Sequence, residues 1–193
     1  MGHNNMRGLF ALPLFIKTSR HQHAITFWNA RALFCEKRRQ RLRKISLVGK
    51  LAASSKMVAI VETHGDSYSA ARWLRHLRKE NHILSVPGQS YGAAGMLVLI
   101  AKSWVSNRAS MSLSTLLPGR VARVCVKNAD ATLRTWVVHN HGIKIDQAQL
   151  FLQQLEKIES VRSPILCIMR FLFLVIGTFL LMVMCLFHAS QPS

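Results

Sequence analysis

The stretch Val58-Ala59-Ile60-Val61-Glu62-Thr63-His64-Gly65 constrains the fold more than any other. Its four apolar residues are too few for a helix and three of them are β-branched, which predicts a buried strand over 58–61. That strand delivers a carboxylate, Glu62, to the edge of a sheet, and a polar turn follows. In open α/β sheets the carboxyl ends of the strands are where ligands sit. A carboxylate in that place needs water, a cation or a metal, because burying it unpaired is costly.

The flanking sequence supplies the rest of an α/β unit. Ala24 to Arg31 predicts a strand ending at Asn29. Glu36 to Lys56 predicts a basic helix with Leu42, Ile45, Leu47, Val48 and Leu51 on an irregular apolar stripe. Strand, helix, strand is a βαβ unit. Asp66 to Asn81 predicts a second amphipathic helix, with Trp73 in the core. Pro87 to Gly92 is turn chemistry, and 93–101 is another buried strand. Residues 116–120 predict a turn, and 121–126 with 132–138 a hairpin. A Gln-rich amphipathic helix is expected over 146–160. Residues 1–23 lack acids, and their apolar run is broken by Pro13. They resemble a transit peptide in composition, but are expected to form a loosely ordered lead-in.

Charge narrows the partners. There are 26 Lys+Arg against 8 Asp+Glu, a formal net charge of +18, and that field favours nucleic acid or an anionic membrane surface. Hydrophobic residues make up 50% of the chain, which argues against disorder. The run Lys37 to Lys44 places Arg38, Arg39 and Arg41 as candidates for phosphate binding; the alternative is the wet face of a helix. The four cysteines form no CxxC clip, so reduced thiols and no disulfide partner are expected. The acids are few for a metal-dependent hydrolase, and none follows Glu159. His21/His23 and His139/His141 are His-x-His pairs without a third ligand at a recognised zinc spacing. The glycines near Gly88 and Gly92 do not spell a phosphate loop.

Three anchors now stand in order: Trp28-Asn29-Ala30-Arg31, Val61-Glu62-Thr63-His64-Gly65, and Pro118-Gly119-Arg120 ahead of Val138-His139-Asn140. Together they resemble the endonuclease/exonuclease/phosphatase superfamily, the DNase-I-like fold, and most of all the endonucleases of non-LTR retrotransposons. Gly95-Met96-Leu97-Val98 resembles the glycine-led strand of that family. The resemblance covers roughly residues 24–160. It implies an α/β sandwich and magnesium-dependent hydrolysis of phosphodiesters in nucleic acid. It also implies Asn29 and Glu62 as Mg2+ ligands, with His139 and Asn140 as site residues facing the phosphate. Arg120 and the basic run would steer nucleic acid. Val61 stands where the family usually has Gln. Val175 to Leu181 stands near the expected Gly-Asp-Phe-Asn, with Thr178 and Leu180 at the Asp and Asn positions. The chain ends at Ser193 with no Ser-Asp-His. A truncated, inactive member of this hydrolase family is therefore expected.

Ile165 to Phe187 carries Arg170 as its one charge. Its length suits a membrane-spanning helix of about 20 apolar residues. With Arg162 and Arg170 on its N-terminal side, a single C-terminal pass would leave the basic domain cytoplasmic. The alternative function is thus a tail-anchored membrane protein whose basic domain binds nucleic acid or lipid without catalysis. Without the span, the expectation is a core strand in a soluble nuclear or cytoplasmic protein.

Overall fold

In the computed structural model the described residues are 11–17, 22–88, 94–105, 109–127, 131–140, 168–176 and 179–189. They mix helices with strands in two five-stranded sheets, an α/β architecture. The chain divides into two units, Met1–Val105 and Ser106–Ser193.

The first unit is built on the predicted apolar run. Strands β1 (Ala11–Lys17) and β2 (Gln22–Asn29) form an antiparallel hairpin. Helix α1 (Arg38–Ser54) crosses over to β3 (Met57–Val61), which lies parallel to β2. Helix α2 (Ser67–Trp73) and a 3-10 helix (Arg75–Lys79) lead to β4 (Asn81–Val86). Strand β5 (Met96–Ala101) then inserts antiparallel between β3 and β4, giving the order β1-β2-β3-β5-β4.

All five residues of β3 are buried, which explains why its sequence does not alternate. Val58 and Ile60 share a face with Leu97 and Leu99 of β5 and with Trp28 of β2. Against that face α1 sets Ile45, Val48 and Ala52, spaced three and four apart on one side of the helix. Leu74 and Ala70 complete the cluster. Full burial of each large aliphatic side chain contributes roughly 1.5–3 kcal/mol, so this cluster is the principal stabiliser of the βαβ unit.

The second unit is an antiparallel sheet of order β6-β7-β8-β10-β9. Its strands are β6 (Ser110–Leu117), β7 (Val121–Lys127), β8 (Ala131–Asn140), β9 (Ile168–Ile176) and β10 (Phe179–Ala189). The expected 121–126/132–138 hairpin is present, with Val124 opposite Thr135.

Four expectations differ from the structure. Residues 11–17 are not a loose lead-in but pair with β2 over seven residue pairs, and β1 is an edge strand, where the missing N–H of Pro13 is tolerated. The single helix over 66–81 is broken. Leu74 is fully buried and Leu77 packs against the same cluster, and that three-residue spacing suits a 3-10 repeat better than 3.6. Asn81 then opens β4, its Nδ2 donating to Leu77 O at 3.2 Å. The turn expected over 116–120 starts later, because Leu116 and Leu117 close β6, drawn into a strand by pairing with β7. Finally, 165–187 does not form one helix: residues 168–176 and 179–189 are antiparallel strands, with Met182 paired to Val138 of β8. Phe, Leu, Val and Ile suit a strand as well as a membrane helix, and the sheet supplies backbone partners. Among the described residues no helix is long and apolar enough to cross a membrane. The helix expected over 146–160 lies outside the described residues.

His82 on the edge strand β4 gives a pH prediction. Burial, and secondarily the charge of Lys102, hold its imidazole below the ordinary 6.5. Between the folded value and 6.5 the unfolded chain binds a proton that the folded chain does not. Stability is therefore expected to fall as the pH drops below about 6.5 and to level off above it. Urea titrations across that window should show the slope, and His82→Gln should flatten it. An identical slope in the variant counts against this assignment.

Candidate functional site

Parallel register sets Asn29 beside Val61, so the β2 and β3 ends arrive together and Glu62 follows immediately. Pairing continues beyond the strands. Ala30 N donates to Val61 O (3.0 Å), Ala32 N to Glu62 O (2.7 Å) and Phe34 N to Thr63 O (3.0 Å). On the other side, Thr63 N donates to Gly95 O (3.1 Å) and His64 N to Ala94 O (2.8 Å). The segment Glu62 to His64 is thus held between two loops, 30–34 and 94–95.

These loops concentrate unusual backbone. Arg31, Ala32, Glu62, His64 and Ala94 all have left-handed φ, between 43° and 65°, and Gly95 has φ 91°. Among the described residues Gly119 is the other member of that set. Each such non-glycine residue costs about 1–2 kcal/mol, and strain of this kind collects at functional sites. Packing is tight as well. A Cβ on Gly65 would clash with the Phe34 ring, and one on Gly95 would meet Thr63 Oγ1 at 2.5 Å.

Side chains complete the mouth. Asn29 Oδ1 accepts from Arg31 N at 3.0 Å, so the amide shapes its own turn. Lys44, reaching over from α1, donates from Nζ to Arg31 O (2.5 Å) and Ala32 O (2.9 Å). Burial pushes the Lys44 ammonium below its ordinary 10.5. Cys35 and Glu62 favour its charge, and Arg31 opposes it. Asp66 caps α2, its Oδ1 accepting from Ser69 N at 2.7 Å, which holds its carboxyl below the ordinary range.

For a divalent cation, Asn29 and Glu62 supply one amide oxygen and one carboxylate. Magnesium is usually held by one or two carboxylates with several waters, so the oxygen count alone is thin but admissible. The surroundings fit less well: the Asn29 oxygen already accepts a hydrogen bond, and a lysine ammonium lies in the field of Glu62. Among the described residues no three His, Cys, Asp or Glu side chains gather into a metal-holding group.

The predicted basic residues separate into two kinds. Arg38 and Arg39 are exposed on the first turn of α1. Arg41 is a structural pin: Nη1 donates to Cys35 O at 2.8 Å, and the guanidinium lies 4.2 Å from the centroid of Trp73. Trp73 is half-buried under it rather than in the core proper. Arg120, His139 and Asn140 belong to the second unit. Arg120 closes the β6–β7 turn, and its carbonyl accepts from His139 N at 2.7 Å. His139 is buried at the end of β8, 5% exposed, which is too enclosed for open contact with a large ligand in this conformation. Asn140 ends β8, and its side chain lies outside the described residues.

Sequence reasoning missed Lys44, since it is one of six cations in Lys37 to Lys44 with nothing to set it apart; only the crossover brings it to the strand ends. A cleft of about 560 Å³ opens at the opposite end of the same sheet, lined by Ser55, Lys56, His76, Glu80 and Ser103, away from Glu62. The Cys35 and Cys125 thiols are free. Compared with known protein families, with curated proteins and with solved structures, the chain matches none.

Proposed function

We propose that the chain is a nuclease-derived module that binds nucleic acid without cleaving it. Its α/β architecture is taken as descending from the DNase-I-like class. The observation that carries this is the mouth of the first sheet. Asn29 and Glu62 end neighbouring parallel strands, and the loops joined to them concentrate left-handed backbone. The loop from Asn29 runs straight into the first turn of α1, where Arg38 and Arg39 are exposed. Cations at that place attract a phosphate backbone regardless of sequence. Turnover needs an activated water and charge stabilisation together, and a single carboxylate supplies neither in full.

Two measurements on folded protein test this. Fluorescence anisotropy with short DNA and RNA should show binding that weakens steeply with salt. Supercoiled plasmid with Mg2+ should remain unnicked. Nicking that disappears in Glu62→Gln would restore an enzyme, and salt-insensitive or absent binding would remove the module.

A further inference from the structure

We infer that the α1–α2 face of the first unit is a stacking platform for single-stranded nucleic acid, built from the rings of Tyr68 and Trp73 and the guanidinium planes of Arg41 and Arg72. It rests on the nucleic-acid reading above and names the form of the ligand. Helices α1 and α2 lie on one side of the sheet, because Ile45 and Val48 of the first share a core cluster with Ala70 of the second. Where they touch, Arg41 Cζ lies 4.2 Å and Arg72 Cζ 5.3 Å from the centroid of the half-buried Trp73 ring. Arg41 is fixed further by its Nη1 bond to Cys35 O. Arg72 is exposed, and Tyr68, four residues earlier on the same side of α2, is 69% exposed. Arg72 thus adjoins Tyr68 by helix spacing and Trp73 by contact, so the four planes form one continuous strip.

Charge decides what such a strip meets. Residues 37–61 hold eight Lys and Arg and no acid, and residues 67–79 hold four and no acid. Asp66, at the head of α2, is engaged with Ser69 N. Cations around aromatic rings track a phosphate backbone, while bases stack on the ring and guanidinium faces. A duplex keeps its base faces within its own stack, so it can use the cations but not the planes. A single strand uses both. An anionic membrane is a poorer occupant. Helix α2 has seven residues, and Tyr68 and Leu42 are the exposed large apolar side chains that the two helices offer, too few to enter the acyl boundary.

Fluorescence anisotropy of the full chain with a labelled oligothymidylate, and with a duplex of the same length at matched salt, tests the platform. The wild type is expected to bind the single strand more tightly. Tyr68→Ala is expected to weaken single-strand binding by about 5- to 100-fold at an unchanged logarithmic salt slope, because a stack is lost and no phosphate contact. Tyr68→Phe keeps the ring and should restore most of that loss. Arg72→Lys keeps the charge and removes the plane, so it too should weaken single-strand binding at an unchanged slope. Both positions are exposed, so the variants should melt as the wild type does; the strand preference of the wild type decides even where one does not. Equal or tighter duplex binding, or a Tyr68→Ala chain that binds the single strand as the wild type does, overturns the inference. If that binding still weakens steeply with salt, the proposed function stands and the platform alone falls; binding to no nucleic acid removes both. Tyr68-dependent binding to vesicles of anionic lipid without single-strand binding overturns it as well, in favour of a membrane face.

Discussion

Gly95→Ala is expected to destabilise the first unit by about 2–4 kcal/mol, combining left-handed strain with overpacking. Two independent penalties coincide at this position. Its φ of 91° is one that a Cβ-bearing residue rarely adopts. The new methyl would also lie 2.5 Å from Thr63 Oγ1. Thr63 is 2% exposed and its N–H is tied to Gly95 O, so it has nowhere to retreat. Gly49 is the internal control. It lies inside α1, and its nearest neighbour to an added Cβ is Leu77 Cδ2 at 3.8 Å. Gly49→Ala should stabilise by about 0.5–1 kcal/mol through helix propensity. Urea denaturation of both variants checks the pair. If Gly95→Ala is no worse than Gly49→Ala, the loop lacing described around Thr63 is not what holds the mouth.

The Arg38→Ala/Arg39→Ala double variant is expected to lose about 10-fold or more in nucleic-acid affinity at moderate salt. Its logarithmic salt slope should fall by about 1.8, near 0.9 for each phosphate contact removed. Both side chains are exposed on the first turn of α1, so the fold should tolerate the change. Arg41→Ala is a different experiment. It removes the Cys35 O hydrogen bond and the cation stacked on Trp73, so stability should fall along with binding. An unchanged salt slope in the double variant would move the nucleic-acid interface away from α1, whatever the remaining affinity.

The contrast between Arg38 and Arg41 shows how far a sequence of this kind can be read. Lys37 to Lys44 is legible as a basic helix, and its apolar stripe predicts Ile45 and Val48 inward, as the structure has them. Nothing along the run separates a solvated arginine from one that pins a loop or from a lysine that clamps a turn. Those roles arise from what α1 crosses, and the crossover is a tertiary event. The same limit applies to β4 and β6. Asn81 to Val86 and Ser110 to Leu117 acquire strand structure from antiparallel partners, β5 and β7, rather than from their own composition.

Residues 165–187 illustrate the limit from the other direction. Their hydropathy is unmistakable, but apolar residues satisfy a membrane helix and a sheet strand equally, and only the backbone partners differ. Val58 to Glu62 escapes that ambiguity because the run is short and β-branched and ends abruptly on a charge. The local sequence therefore determined a strand that delivers Glu62 to a sheet end, with Asn29 at the end of a neighbouring strand. Tertiary structure alone decided what meets Glu62 there. Backbone hydrogen bonds to loops 30–34 and 94–95 impose left-handed conformations that no local propensity favours. Helix α1 brings Lys44 from far along the chain to the Arg31 and Ala32 carbonyls, because packing Ile45 and Val48 onto the sheet leaves its preceding residue facing the strand ends.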